Sequence, residues 1–251
     1  MNFHVGTSGY CYPEWKGSFY PKDLPAAKML RFYGERFDTV ESNYTFKGMP
    51  QASVLEKWAA SVPAGFQFAL KAPMHITHRL KLQNADDSVS KLFHVAGVLK
   101  KRLGPLLFQL PPSFSRDLSR LRDFLALLPS RCRVAFEFRH PSWLDDAVFE
   151  LLRDHGAALC IAEAEDGLDI PFVATTDWGY VRLRRPDYSP RELSAWGRRV
   201  QEQDWRDAFV FFKHEDQGKG PQMAKRFVEL NAKVSPRASS GAFARHPAKR
   251  R

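Results

Sequence analysis

Short apolar runs alternate with stretches of helical period along almost the whole chain. The first run is Phe3–Ser8, followed by a loop rich in Gly, Pro and aromatic residues (Gly9–Pro25) and a helical pattern over Ala26–Arg36. The later runs are Thr39–Asn43, Phe66–Ala72, Leu106–Leu110, Arg133–Phe138, Ala157–Ala162, Tyr180–Arg184 and Ala208–Lys213. Between them the spacing predicts helices near Gln51–Ser61, Ser88–Arg102, Asp145–His155, Pro190–Gln203 and Pro221–Asn231. A further helix, with Ser115 as its expected N-cap, ends before Pro129, and Gly156 is the expected stop after the Asp145–His155 helix. After the sixth run no clear helix is predicted, because Glu165–Asp177 reads as loop. Eight strands alternating with seven helices argue for parallel pairing with right-handed crossovers. Eight such units in 251 residues predict a single-domain (β/α)₈ TIM barrel over residues 1–232.

Side chains of a strand alternate between faces, and here the two parities separate. Phe66, Phe68 and Leu70 oppose Gln67, Ala69 and Lys71, while Val134, Phe136 and Phe138 oppose Ala135, Glu137 and Arg139. Glu41 and Asn43 share one parity, Gln109 follows Leu107, and Tyr180, Arg182 and Arg184 oppose Val181 and Leu183. The apolar sets suit the helix side, so the polar sets should point inward near the C-terminal strand ends, where barrel enzymes keep their chemistry. The expected mouth therefore holds Glu41, Asn43, Lys71, Gln109, Glu137, Arg139, Arg182 and Arg184, with Lys213 or His214 from the eighth strand. Two carboxylates among four or five cations imply a small anionic or sugar-like ligand. Glu41 and Glu137 are the candidate acid and base of a hydrolase or isomerase-type enzyme. Lys71, Arg139 and Arg182 are the candidate anion holders, and Asn43 and Gln109 would orient the ligand. The competing reading is a structural ion-pair network with no ligand.

The dense aromatics of the first loop, Tyr10, Tyr12, Trp15, Phe19 and Tyr20, fit either a wall for a ring-shaped ligand or a small core under the loop. Tyr10 and Trp15 are carried as ligand contacts on the first reading, as is His78 beyond the third strand. Glu163, with Glu41, Glu137, His75 and His140, offers hard donors, but no divalent-metal spacing supports a metal centre and no cofactor is assigned.

Composition changes this picture little. A content of 44% hydrophobic and 26% charged residues is ordinary for a globular chain. Cys11, Cys132 and Cys160 form no C-x-x-C pair and read as free thiols. Cys11 lies in the first loop, without a visible activating partner for nucleophilic work. The N-terminal Met-Asn-Phe-His-Val-Gly-Thr has no signal-peptide pattern, and no apolar run is long enough for a membrane span, so the expected location is cytoplasmic. Net charge is +10, but Lys233, Arg237, Arg245, Lys249, Arg250 and Arg251 lie in an Ala-, Ser- and Pro-rich end without acidic residues; removing those six leaves +4. Residues 233–251 are read as a disordered basic tail. Nucleic acid is the competing partner, with the mouth and tail tracking phosphates and the loop aromatics stacking on bases. No oligomeric state is implied.

These segments resemble the YecE-like family, the domain of unknown function numbered 72. The likeness runs from the N-terminus to about Leu230. It is carried by Gly6-Thr-Ser-Gly-Tyr10, Tyr12-Pro-Glu-Trp15-Lys-Gly17, Val40-Glu-Ser-Asn43, Phe68-Ala-Leu-Lys71-Ala-Pro73, Leu107-Phe-Gln109-Leu-Pro-Pro112 and Ala135-Phe-Glu137-Phe-Arg139-His140. The resemblance implies a TIM barrel and no particular reaction. Family members carry Arg-Leu-His-Gly near the seventh strand and paired Asn at the end of the eighth. Here these positions read Val181-Arg-Leu-Arg184-Arg and Phe212-Lys-His-Glu215, so only Arg182 matches. The more cationic version implies a more anionic ligand.

Overall fold

The computed structural model describes residues 1–163, 168–213 and 218–231. Eight parallel strands form a nearly closed barrel with helices between them: β1 (Asn2–Thr7), β2 (Thr39–Ser42), β3 (Gln67–Lys71), β4 (Leu103–Gln109), β5 (Val134–Glu137), β6 (Ala158–Glu163), β7 (Trp178–Leu183) and β8 (Asp207–Phe212). The helices are α1 (Ala26–Gly34), the four-residue α2 (Tyr44–Lys47), α3 (Ala52–Ser61), α4 (Asp86–Ala96), α5 (Leu118–Ala126), α6 (Asp146–Asp154), α7 (Pro190–Gln201) and α8 (Lys219–Asn231). No helix follows β6 among the described residues, in keeping with the loop expected there. The basic tail lies outside the described residues.

Local chemistry sets the helix ends. Asp117, not Ser115, caps α5, its carboxylate accepting the Arg120 N–H at 3.0 Å. Both are good caps, and Asp117 wins because it directly precedes the first helical turn. Ser189 and Glu192 form a reciprocal capping box on α7, with Pro190 in the first turn. Gly156 closes the α6 region at φ +63°, a left-handed conformation that glycine adopts without a Cβ clash.

The parity pattern holds. Phe68, Leu106, Phe108, Phe136, Val181 and Val210 are fully buried on the helix side. The barrel interior is filled by a separate cluster that sets Ala69, Ala135, Ala158 and Ala162 against Trp178, Tyr180, Phe209 and Phe211. Small side chains on β3, β5 and β6 thus make room for the aromatics of β7 and β8.

The ladder runs β1-β8-β7-β6-β5-β4-β3-β2, and β1 meets β2 only through one bridge, Ser8 to Glu41. There Gly9 N–H donates to the Glu41 carbonyl at 2.8 Å. Below it, the Tyr33 hydroxyl of α1 accepts from Thr7 N–H at 2.9 Å and donates to the Thr39 carbonyl at 3.1 Å. One phenol thus takes the place of missing ladder bonds, and a Cβ at Gly6 would overlap the Thr39 carbonyl oxygen. At the opposite end of the barrel His4 meets Asp38 at 2.8 Å and Arg133 meets Asp207 at 2.5 Å. No helix of the described residues is long and apolar enough to cross a membrane.

Candidate functional site

The C-terminal strand ends open into a cavity of about 590 Å³. Its cationic lining comes from Lys47, Lys71, Arg139, Arg182, Arg184 and Lys213. Tyr10, Tyr12, Tyr44, Phe46 and Trp58 form an aromatic wall, and Asn43 and Gln109 add polar contacts.

Glu41 and Glu137 lie beneath this lining rather than in it. Both are inward-facing strand residues, 0% and 1% exposed. Arg182, itself 2% exposed, reaches between them: Nη2 donates to Glu41 Oε1 at 2.8 Å, and Nη1 donates to Glu137 Oε2. The second oxygen of Glu41 accepts from the Tyr180 hydroxyl at 2.8 Å, and that of Glu137 accepts from Arg139 Nε at 3.0 Å. All four carboxylate oxygens are therefore engaged. Burial alone would raise the Glu137 carboxyl, but the charges of Arg182 and then Arg139 outweigh it and hold it at about 2. For Arg182 burial opposes the charge, and Glu137 and Glu41 more than restore it, so the guanidinium stays protonated. Burial, then the adjacent Glu41 charge, keeps the Tyr180 phenol protonated.

This geometry bears on two expectations. Glu137 is bound at both oxygens, and the adjacent guanidinium charges favour its ionised form. Each terminal nitrogen of Arg182 gives one N–H to a carboxylate, so the guanidinium ties the barrel floor together while also lining the cavity.

Lys71 ends β3, is 8% exposed and faces the cavity. Thr45 Oγ1 donates to the Lys71 carbonyl at 2.6 Å and so ties α2 to β3. This places the Phe46 ring 3.8 Å from Lys71 Nζ. Burial, then the Arg182 charge, pushes the Lys71 ammonium down to about 8, against the pull of Glu41 and Glu137. Gln109 is buried beside Glu137, near enough for its amide to favour the ionised carboxylate, although Nε2 falls outside hydrogen-bond geometry. A buried amide donor left in this way marks a place where a ligand acceptor would be welcome.

The first loop splits between its two expected roles. Tyr10 and Tyr12 reach the cavity, and Tyr10 meets the Trp58 edge at 6.3 Å. Trp15 does not line it: at 1% exposure it packs on Tyr12, Phe19 and Tyr20 as the centre of a small core under the loop. His78 lies just behind the wall, edge-on to Phe46 at 5.2 Å with Nδ1 2.9 Å from Thr77 Oγ1; burial, then Lys71, lowers its pKa. Cys11 also reaches the cavity, its Sγ 4.0 Å from Met29 Sδ.

The remaining donors scatter. Glu163 points outward, because Ala158, Cys160 and Ala162 take the inward positions of β6; it accepts from Tyr188 and pairs with Arg185. His140 caps the short turn at Pro141–Trp143, and His75 is exposed. No group of three or more metal-ligating side chains occurs among the described residues. His214 and Glu215 lie outside them.

Lys47, Tyr44, Phe46 and Trp58 were missed by sequence reasoning. The first three directly follow β2, a position that could have flagged them. Trp58 lies in α3, where an aromatic reads as ordinary core.

The protein resembles known chains throughout. A model of the family described as "Protein of unknown function DUF72" matches residues 4–246. UPF0759 protein YunF of Bacillus subtilis is 25% identical, covering 90% of this chain and 94% of its own length. The crystal structure of a DUF72 family protein, TM1631 of Thermotoga maritima, superposes with a TM-score of 0.83 at 27% identity, over 92% of this chain and 99% of that one. A DUF72 protein of Enterococcus faecalis, EF0366, superposes at 0.78 with 16% identity, over 92% and 95% of the two chains. With the family match spanning nearly all residues and the same barrel in these relatives, the chain belongs to the DUF72 family.

Proposed function

We propose that the barrel mouth binds a small anionic metabolite and that the protein is an enzyme acting on it. The observation that carries this reading is the separation of charge by depth. Among the described residues, six cationic side chains line the cavity, while Glu41 and Glu137 lie sealed below it, already paired with Arg182, Arg139 and Tyr180. A mouth lined by cationic side chains, with its described carboxylates held below, favours a carboxylate or phosphate. The Gln109 amide supports the same reading, and the Tyr10–Trp58–Tyr44 wall gives the organic part of the ligand an apolar face. Glu41 and Glu137 then act by holding Arg182, and through it the field of the mouth, rather than by moving protons.

The test is calorimetry of the full chain against inorganic phosphate, sugar phosphates and di- and tricarboxylates. Saturable binding at the mouth should weaken with salt and with Lys47→Gln. If no anion binds saturably at low salt, or if Lys47→Gln leaves the affinity unchanged, the reading falls.

A further inference from the structure

We infer that Lys71 is an amine nucleophile, able to capture a small carbonyl compound that carries a carboxylate or phosphate and to hold it as an imine. The inference rests on the anionic-ligand reading above and names the substrate class for that site.

The geometry around Lys71 is unusual for a lysine. Its side chain is buried within the barrel mouth, yet Nζ makes no ion pair or hydrogen bond among the described residues. The nearby carboxylates are engaged by Arg182, Arg139 and Tyr180, which leaves Lys71 facing the cavity across the Phe46 ring. A buried amine in cationic company sheds its proton more readily than one in water, and this is how lysines become nucleophiles. The Arg182 and Arg139 charges oppose the ammonium, Glu41 and Glu137 favour it, and with burial the balance settles at about 8. At pH 7 that leaves on the order of a hundredfold more neutral amine than an ordinary lysine has.

The step balances without an oxidant or reductant. Neutral Nζ attacks the carbonyl carbon, forming an N–C bond while the C=O π pair moves to oxygen. Oxygen takes up one proton as nitrogen loses one, giving the carbinolamine; a second proton then passes from nitrogen to oxygen as water departs, breaking the C–O bond and leaving C=N. The cations of the mouth hold the carboxylate or phosphate, and the Gln109 amide can donate to an oxygen of the bound compound.

The experiment incubates the full chain with pyruvate and cyanoborohydride at pH 7, then maps modified peptides by mass spectrometry. Cyanoborohydride reduces only an imine already formed. The expected result is modification of Lys71 about tenfold or more above exposed lysines such as Lys22 and Lys57. Labelling should rise with pH to a half-maximum near 8. Acetone, an uncharged ketone, should label Lys71 far less, and inorganic phosphate should suppress the pyruvate adduct. Lys71→Arg, which keeps the positive charge, should remove the adduct. Labelling spread evenly over surface lysines overturns the inference, as does equal labelling by acetone. Phosphate titrated into the same preparation separates the two readings. Saturable binding without a Lys71 adduct overturns the inference and leaves the anion site standing; absence of both overturns both.

Discussion

Arg182 Nη2 donates to Glu41 Oε1 at 2.8 Å, joining β7 to β2 across the barrel interior. The same guanidinium holds Glu137 of β5. Three non-adjacent strands are therefore tied at one buried cation, which sets the depth at which negative charge lies below the mouth.

Removing that cation should be costly. Arg182→Ala leaves two buried carboxylates without their shared partner, and breaking a buried ion pair from one side typically costs about 3–5 kcal/mol. Urea denaturation of the variant should show a loss of that order. A loss below about 1 kcal/mol, the range of exposed pairs, would mean that the carboxylates are not held as described.

The Glu137 carboxyl predicts a specific acid limb. Its folded value, about 2, lies below the ordinary 4.5, so its contribution to stability is complete above about 4.5 and is lost as pH falls towards 2. Asp207 is also lowered, so the wild type alone does not isolate Glu137. The stability gap between wild type and Glu137→Gln, measured by urea midpoints, should narrow steadily between pH 4.5 and 2. A gap that stays constant over that range would contradict the assignment.

The β1–β2 seam depends on the Tyr33 hydroxyl. Tyr33→Phe keeps the ring but strands the buried Thr7 N–H and Thr39 carbonyl, at about 1–3 kcal/mol for groups left unsatisfied. Hydrogen exchange should show the Thr7 amide losing protection more than amides of the β7–β8 ladder. Uniform loss across the sheet would show that the phenol is not a local replacement for ladder bonds.

Trp15 and Tyr10 should behave differently despite their nearness in sequence. Trp15→Ala removes a fully buried indole and should cost about 3–5 kcal/mol. Any anion found to bind at the mouth should still bind the folded variant with unchanged affinity. A Trp15→Phe variant, which folds more readily, provides the same comparison. A changed Kd in both variants would return Trp15 to the ligand.

Several features of the site were legible in the chain alone. The parity of Lys71, Gln109, Glu137 and Arg182 follows from the period of two in an extended backbone, a local property that any strand imposes. Alternation of eight strands with helices left a closed barrel as the architecture, and a barrel brings inward residues at strand ends together whatever their separation in sequence.

Other features were decided by the tertiary structure. Arg182 and Glu41 are 141 residues apart, and nothing local to either says that they share a hydrogen bond or that Tyr180 takes the other oxygen. Whether a carboxylate is a free acid or a clamped anion depends on partners from three strands, so the role of Glu137 was invisible until they met. Trp15 and Tyr10 look alike in sequence, and only the path of the loop over α1 buries one and turns the other to the cavity. Lys71 carries no sequence mark that separates an anion holder from a nucleophile. That distinction comes from burial, from the engagement of the nearby carboxylates elsewhere, and from the Phe46 ring that α2 sets beside it, because a side chain's proton affinity depends on what surrounds it in space.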